Sequence, residues 1–569
     1  MISKEALDNK YKALENSRRV QLTISKATAL FMFKSTHEPA KNYANLSVDY
    51  DSINHIGIEY IDLGCRYFAL EDYSSSSACF TKGAECLETI HSLKENELSY
   101  SNYYGLLASL AFYAGFQYSR SFVLVKKFEE ETPIASLLSL FLKRNFRELT
   151  DKAEEMAINQ GYNDNQLSKA DDVEESCGKV FEISIAKSLY SIIQYFYTGE
   201  DSLIDTAKEK LNALLDIAKL ENLVDLWWVV RLILIIVDGF TQSSLWNMLG
   251  GYMNLKEDNS LARQYVLSLI YKQVPVTELF LSQRAVLPQL FTTGQSGVIV
   301  SIPTSSGKTR IAEMAILNTI IGNPEGKILY IAPFRSLAYE IENSLGDLFA
   351  AAKIRVSHLY GGSLFTSLDV EEISEANIVI ATPEKVKAIF RCQQDFFKEL
   401  SLVIMDEGHL LGGDQRQVGN EIFYEELRNF LKKFECKYLL LSAVLPNTDD
   451  LAKWLTNSAN NTYHTDWRPS KQICGILNWN GVSVSMDWYK GNSISSFNRN
   501  FVVRCELPRK PRERTTHYYP KNKVEAIVET ARKLESFGST LIYVPIKKSC
   551  LTYAEAYAKS LEAGPSYSF

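Results

Sequence analysis

The heptapeptide Pro303-Thr-Ser-Ser-Gly-Lys-Thr309 constrains this chain more than any other feature. It follows the apolar, β-branched run 297–302 and opens a segment whose apolar residues recur at helical spacing. A strand that turns directly into a helix aims backbone N–H groups and the helix N-terminus at one point, which favours an anion there. Gly307 permits close backbone approach, Lys308 brings a cation to the β- and γ-phosphates, and Thr309 offers a hydroxyl to magnesium. The strict pattern has glycine where this chain has Ile302, so the loop fits a looser version of it.

Four more short runs, 327–332, 378–381, 402–405 and 437–441, alternate with helical segments. That alternation predicts βαβ units and a parallel, doubly wound α/β sheet. Asp406-Glu-Gly-His409 comes directly after one of these runs, about 100 residues beyond the phosphate loop. At that strand end Asp406 can hold magnesium, and Glu407 can orient and deprotonate an attacking water.

The rest of the chain reads differently. Residues 1–270 are rich in helix formers and predict a large all-α N-terminal domain. Tyr60, Leu63, Gly64, Tyr67 and Phe80 fall where a tetratricopeptide helix pair places packing residues, with no second copy at that period. The stretch 159–176, with Asp171, Asp172, Glu174 and Glu175, predicts a surface loop. The apolar run 223–237 contains Asp225 and Arg231 and predicts a buried helix, not a membrane span. The opening residues 1–19 have no apolar core and are not expected to act as a signal peptide, and nine dispersed cysteines without a CxxC pair fit reduced thiols in a cytoplasmic protein. A net charge of −7 gives no global nucleic-acid signature, so any such binding needs a local basic groove. Residues 271–465 predict the nucleotide-binding lobe and 466–514 a linker, whose basic stretch 504–523 holds seven basic and two acidic residues. Residues 515–569 predict a helix over 523–537 and a strand over 540–544.

Together these motifs resemble the DExH branch of the superfamily 2 helicases, most closely the superkiller-like group, over residues 275–550. The resemblance implies a RecA-like P-loop fold with ATP and magnesium as cofactors. It assigns Gln283 to the adenine and Thr304, Ser305, Ser306, Gly307, Lys308, Thr309 and Arg310 to the nucleotide. It gives Lys308, Asp406 and Glu407 to catalysis, Thr309 and Asp406 to the metal, and His409 and Ser442 to coupling. Arg335, in Ala332-Pro-Phe-Arg-Ser-Leu-Ala338, and Gly361, Gly362, Thr382 and Lys385 resemble residues that contact a nucleic-acid strand. Trp467-Arg-Pro469 resembles the segment after the first lobe, and 538–545 the opening strand of a second.

Two departures stand out. Ser442-Ala-Val444 replaces the usual Ser-Ala-Thr, which bears on coupling and not on ATP binding. Residues 515–569 supply only the start of a second lobe, so slow ATP turnover is expected of the chain as given. The leading reading is an ATP-dependent helicase or translocase acting on single-stranded or partly duplex DNA or RNA, with a protein partner on the helical domain and no membrane. The alternative is a helical scaffold with an ATP-sensing switch that does not unwind. A metabolic P-loop kinase fits the spacing poorly. DNA versus RNA stays open, because the strand-contacting motifs read backbone and not base edges.

Overall fold

The computed structural model describes residues 3–35, 49–93, 98–156, 173–292, 294, 296–359, 366–411, 415–470, 472–490, 493–507, 515–535 and 538–562. Seven parallel strands form the central sheet: β1 (Gly297–Ser301), β2 (Lys327–Ile331), β3 (Val356–His358), β4 (Ile378–Ala381), β5 (Leu400–Met405), β6 (Lys437–Ser442) and β7 (Thr462–His464). Their order is β3-β4-β2-β5-β6-β1-β7, a doubly wound, RecA-like arrangement. The sequence predicts five of these strands. The two it misses, β3 and β7, are three-residue edge strands too short to carry a pattern.

Both faces of the sheet are buried, so its strands are almost continuously apolar. Val298, Val300, Ile328, Tyr330, Ile404 and Leu439 point into one core; Ile299, Leu329, Val379, Val403 and Leu440 point into a second. The first core runs without a break into the helical region, where it includes Phe112, Leu137, Phe196 and Ile233. Helical region and sheet are thus two walls of one apolar interior.

Within the helical region, helices Tyr50–Ala69 and Tyr73–Leu93 pack closely because small residues line the seam. A Cβ on Gly83 would lie 2.8 Å from the Gly57 carbonyl oxygen, and one on Gly64 2.9 Å from the Phe80 ring. The run predicted as a buried helix is helix Val224–Gly239, buried from Leu232 to Val237. Among the described residues, no helix is long and apolar enough to cross a membrane. Most of the predicted loop 159–176 lies outside the described residues, but from Val173 onward the chain is helical, in Val173–Thr198.

The junction between the region and the sheet is polar and buried. Glu278, its side chain 1% exposed, accepts hydrogen bonds from Tyr113 Oη at 2.8 and 2.7 Å and pairs with Arg144 at 2.9 Å. Arg144 also donates to the carbonyl of Pro275 at 2.9 Å, and Leu279 N donates to the Ser243 carbonyl at 2.8 Å.

Two expectations fail after the lobe. The stretch 466–514 is not a plain linker: it holds an antiparallel sheet of β8 (Cys474–Trp479), β9 (Ser483–Lys490) and β10 (Ser493–Val503). A small core of Val484, Met486, Phe501, Val502 and Ala526 backs it. β11 (Cys505–Glu506) and β12 (Tyr518–Tyr519) pair beyond it. Residues 540–544 form no strand; Leu541 is 91% and Tyr543 84% exposed. A strand needs a ladder partner, and the described residues offer none there.

Candidate nucleotide and nucleic-acid site

The phosphate loop leaves the C-terminal end of β1, between β6 and the edge strand β7. Two residues take left-handed backbone, Ser305 at φ 64 and Gly307 at φ 85, and the helix Lys308–Gly322 starts immediately. Helix Leu281–Leu290 braces the loop from behind. Ser282 Oγ donates to the Ser306 carbonyl at 3.0 Å, and Gln283 Nε2 to the Gly307 carbonyl at 3.1 Å. A Cβ on Gly307 would sit 1.9 Å from that Gln283 nitrogen, so the position has no room for a side chain. Ser306 is buried and donates to the Trp467 carbonyl at 3.1 Å, while Thr304, Ser305 and Thr309 are exposed.

Opposite the loop stand the carboxylates at the end of β5. Asp406 Oδ2 accepts from Tyr330 Oη at 2.8 Å and Oδ1 from Glu407 N at 2.8 Å. Burial pushes the Asp406 carboxyl above its ordinary range, against those two bonds. Lys308 Nζ lies 3.0 Å from Glu407 Oε1. Glu407 Oε2 is buried without a hydrogen bond, with His409 Nδ1 3.1 Å away. His409 N donates to Ser442 Oγ at 3.1 Å, so the turn after β5 is tied to the end of β6.

A cavity of about 560 Å³ is lined by Gly307, Thr309, Arg310 and Asp406. Its oxygen donors, a hydroxyl and a carboxylate, suit a hard cation such as magnesium, which takes few protein ligands and keeps waters and phosphate oxygens. No cluster of three or more His, Cys, Asp or Glu is found among the described residues. Arg310 ion-pairs with Glu313, which also accepts from Tyr265 at 3.1 Å, so this arginine is held along the helix.

The predicted strand-contacting residues do not all face one way. Arg335 is exposed at the start of helix Arg335–Phe349, with Phe334 49% and Tyr339 55% exposed beside it. Thr382 and Lys385 follow β4, which neighbours β2, so the three share an edge of the sheet. Lys385, however, is 2% exposed and paired to Asp369 at 2.8 Å, and Thr382 is 6% exposed. Both therefore serve the interior, which corrects their reading as groove contacts. Gly361 and Gly362 lie outside the described residues, as does the middle of the basic stretch, 508–514. Sequence reasoning also missed Tyr330 and Ser282, and it gave no role to Phe334 inside the motif 332–338.

A phosphate loop facing two strand-end carboxylates on a parallel RecA-like sheet defines a P-loop nucleotide-binding lobe. Residues 281–451 match the family model "DEAD/DEAH box helicase", so the chain carries a helicase domain of that type. It is 34% identical over 564 residues to the Hachiman protein HamB of Bacillus cereus, covering 98% of this chain and 49% of that protein. It is 32% identical over 244 residues to the ATP-dependent DNA helicase Hel308 of Methanococcus vannielii, covering 41% of this chain and 31% of that protein. A solved structure of Mss116p bound to ssRNA and AMP-PNP overlaps 38% of this chain and 43% of its own, with a TM-score of 0.32 and 21% identity. The chain spans about half the length of HamB, and less of Hel308.

Proposed function

We propose that this chain is an ATP-dependent helicase or translocase of the superkiller-like kind, hydrolysing ATP with magnesium while bound to a DNA or RNA strand. The observation that carries the reading is Lys308 Nζ at 3.0 Å from Glu407 Oε1, which sets the loop's cation against the strand-end carboxylate. Lys308 and the loop N–H groups would hold the β- and γ-phosphates, and Thr309 and Asp406 the metal. When bound, magnesium neutralises charge on the phosphoryl group being transferred. Glu407 would take a proton from water at Oε2, the oxygen left without a hydrogen bond. Through Ser442 the turn bearing His409 would pass the state of the site to the neighbouring strand end. Arg335 would meet backbone phosphates, with Phe334 and Tyr339 offering apolar faces to bases. The alignment with HamB runs through the helical region as well as the lobe, which supports treating the two as one working unit.

Two variants and one linkage measurement test this. Lys308→Ala should weaken ATP binding by about 10- to 100-fold, the worth of a charge-assisted hydrogen bond. Glu407→Gln should bind ATP normally and not turn it over. Calorimetric titration with equal ATP affinity for Lys308→Ala and wild type would sink the nucleotide assignment. A single-stranded oligonucleotide should shift ATP affinity by roughly 5-fold or more, as coupled sites do. No shift would favour an ATP-sensing scaffold over a motor.

A further inference from the structure

The cavity at the phosphate loop does not end with the lobe. From Gly307, Thr309 and Asp406 it continues past Phe280 to Tyr118 and Phe122, which belong to the helical region. Those two residues are one turn apart on the short helix Tyr118–Leu124, so they share a face. The Tyr118 ring lies nearly parallel to that of Phe280, with centroids 6.2 Å apart, and Phe280 packs in turn against Trp467 at 5.6 Å. An aromatic row thus leads from the helical region to the strap that Ser306 holds.

Several polar groups along this stretch are committed elsewhere. Gln283, the residue that the resemblance assigns to the adenine, accepts from Phe280 N at 2.8 Å through Oε1 and donates to Gly307 at 3.1 Å through Nε2. Arg144, Tyr113 and Glu278 close on one another. Beyond the phosphate end the cavity offers the aromatic surface of Tyr118 and Phe122, beside the polar Ser119 and Lys272. A volume of about 560 Å³ is in the range of pockets that enclose a small organic ligand. We propose that the helical region builds half of the nucleotide pocket, the base and ribose of the bound nucleoside triphosphate packing against Tyr118 and Phe122. This rests on the nucleotide reading above and adds a second domain to it.

The experiment compares two probes, ATP and inorganic tripolyphosphate, by calorimetric titration of the full chain with magnesium. Phe122, half-buried with Lys126 over its ring at 4.0 Å, can be cut back without opening the core. Phe122→Ala should lower ATP affinity roughly tenfold, the cost of losing one base–aromatic contact. Its affinity for tripolyphosphate should be unchanged. Phe122→Trp should restore ATP binding. Tyr118→Leu is the second variant, with the same split expected between the two probes; its unchanged tripolyphosphate affinity reports an intact phosphate loop. Equal ATP affinity for Phe122→Ala, Tyr118→Leu and wild type would overturn the proposal, as would a parallel loss of both probes. If Lys308→Ala leaves both probes unaffected, it is the nucleotide reading itself that fails.

Discussion

Gln283 shows how neighbours can occupy both ends of a side chain that the resemblance assigns to the adenine. Its two hydrogen bonds span the start of its own helix and the Gly307 carbonyl, which makes it a brace for the phosphate loop. Removing a brace disturbs the loop for any polyphosphate. Gln283→Ala should therefore weaken ATP and tripolyphosphate together, by about 2- to 10-fold, the worth of an ordinary hydrogen bond. Titration with both ligands decides it; loss confined to ATP would return Gln283 to base reading. Glu407 is a second case. Its left-handed backbone, φ 51, is costly for a non-glycine residue, and such strain is kept where the surrounding structure holds it. Here the neighbours are Asp406, whose Oδ1 accepts from Glu407 N, and Lys308.

At the scale of elements, the two helices that start beside each other at the sheet edge behave differently. Helix Arg335–Phe349 presents Arg335 to solvent, so Arg335→Glu should weaken single-strand binding in a salt-dependent manner and leave ATP affinity nearly unchanged. Fluorescence anisotropy with a labelled oligonucleotide across a salt series checks this, and an unaltered salt slope would remove Arg335 from the groove. Helix Pro383–Cys392 instead turns Lys385 inward onto Asp369, which also accepts from Thr366 N at 2.7 Å. Burial pushes the Asp369 carboxyl up, but Lys385 and Thr366 outweigh it and hold the carboxyl below its ordinary range. A carboxylate so depressed stabilises the fold above its unfolded-state value and loses that contribution as pH falls through the folded one. Lys385→Met removes the partner and leaves burial to act alone, raising the carboxyl. The variant should be about 3–5 kcal/mol less stable at neutral pH. The gap should narrow as pH falls into the carboxylate range, where Asp369 becomes neutral. Urea unfolding at several pH values measures it; a pH-independent gap would mean that lost packing, not the ion pair, is responsible.

On the scale of the molecule, the helical region and the lobe share an apolar core and a buried polar junction, so they should unfold as coupled units. Arg144→Met leaves the Glu278 carboxylate 1% exposed with Tyr113 and Thr277 as donors but without its direct ion-pair partner. Breaking such a pair costs about 3–5 kcal/mol. Hydrogen exchange should then show protection lost both in helix Leu98–Ala114, which bears Tyr113, and in β1. Loss confined to the helical side would mean that the two regions open independently.

The sequence alone settled what is local. The apolar strands, the turn at Pro303–Thr309 and the Asp406-Glu407 pair at a strand end are short-range patterns whose chemistry follows from residue type and spacing. Part of the sheet after the lobe was missed, the stretch being read as a linker, although Val484 and Met486 alternate with Ser483, Ser485 and Asp487 at the period of a half-buried strand. Which way a side chain turns was not legible. Lys385 and Arg335 occupy similar positions near strand ends, yet Asp369, sixteen residues before Lys385, is what draws one inward. No pattern links Tyr118 to Phe280, or Ser306 to Trp467, because the latter pair stand 161 positions apart. Contacts over such separations depend on how whole elements pack, and burial then makes each polar group find whatever partner that packing brings within reach.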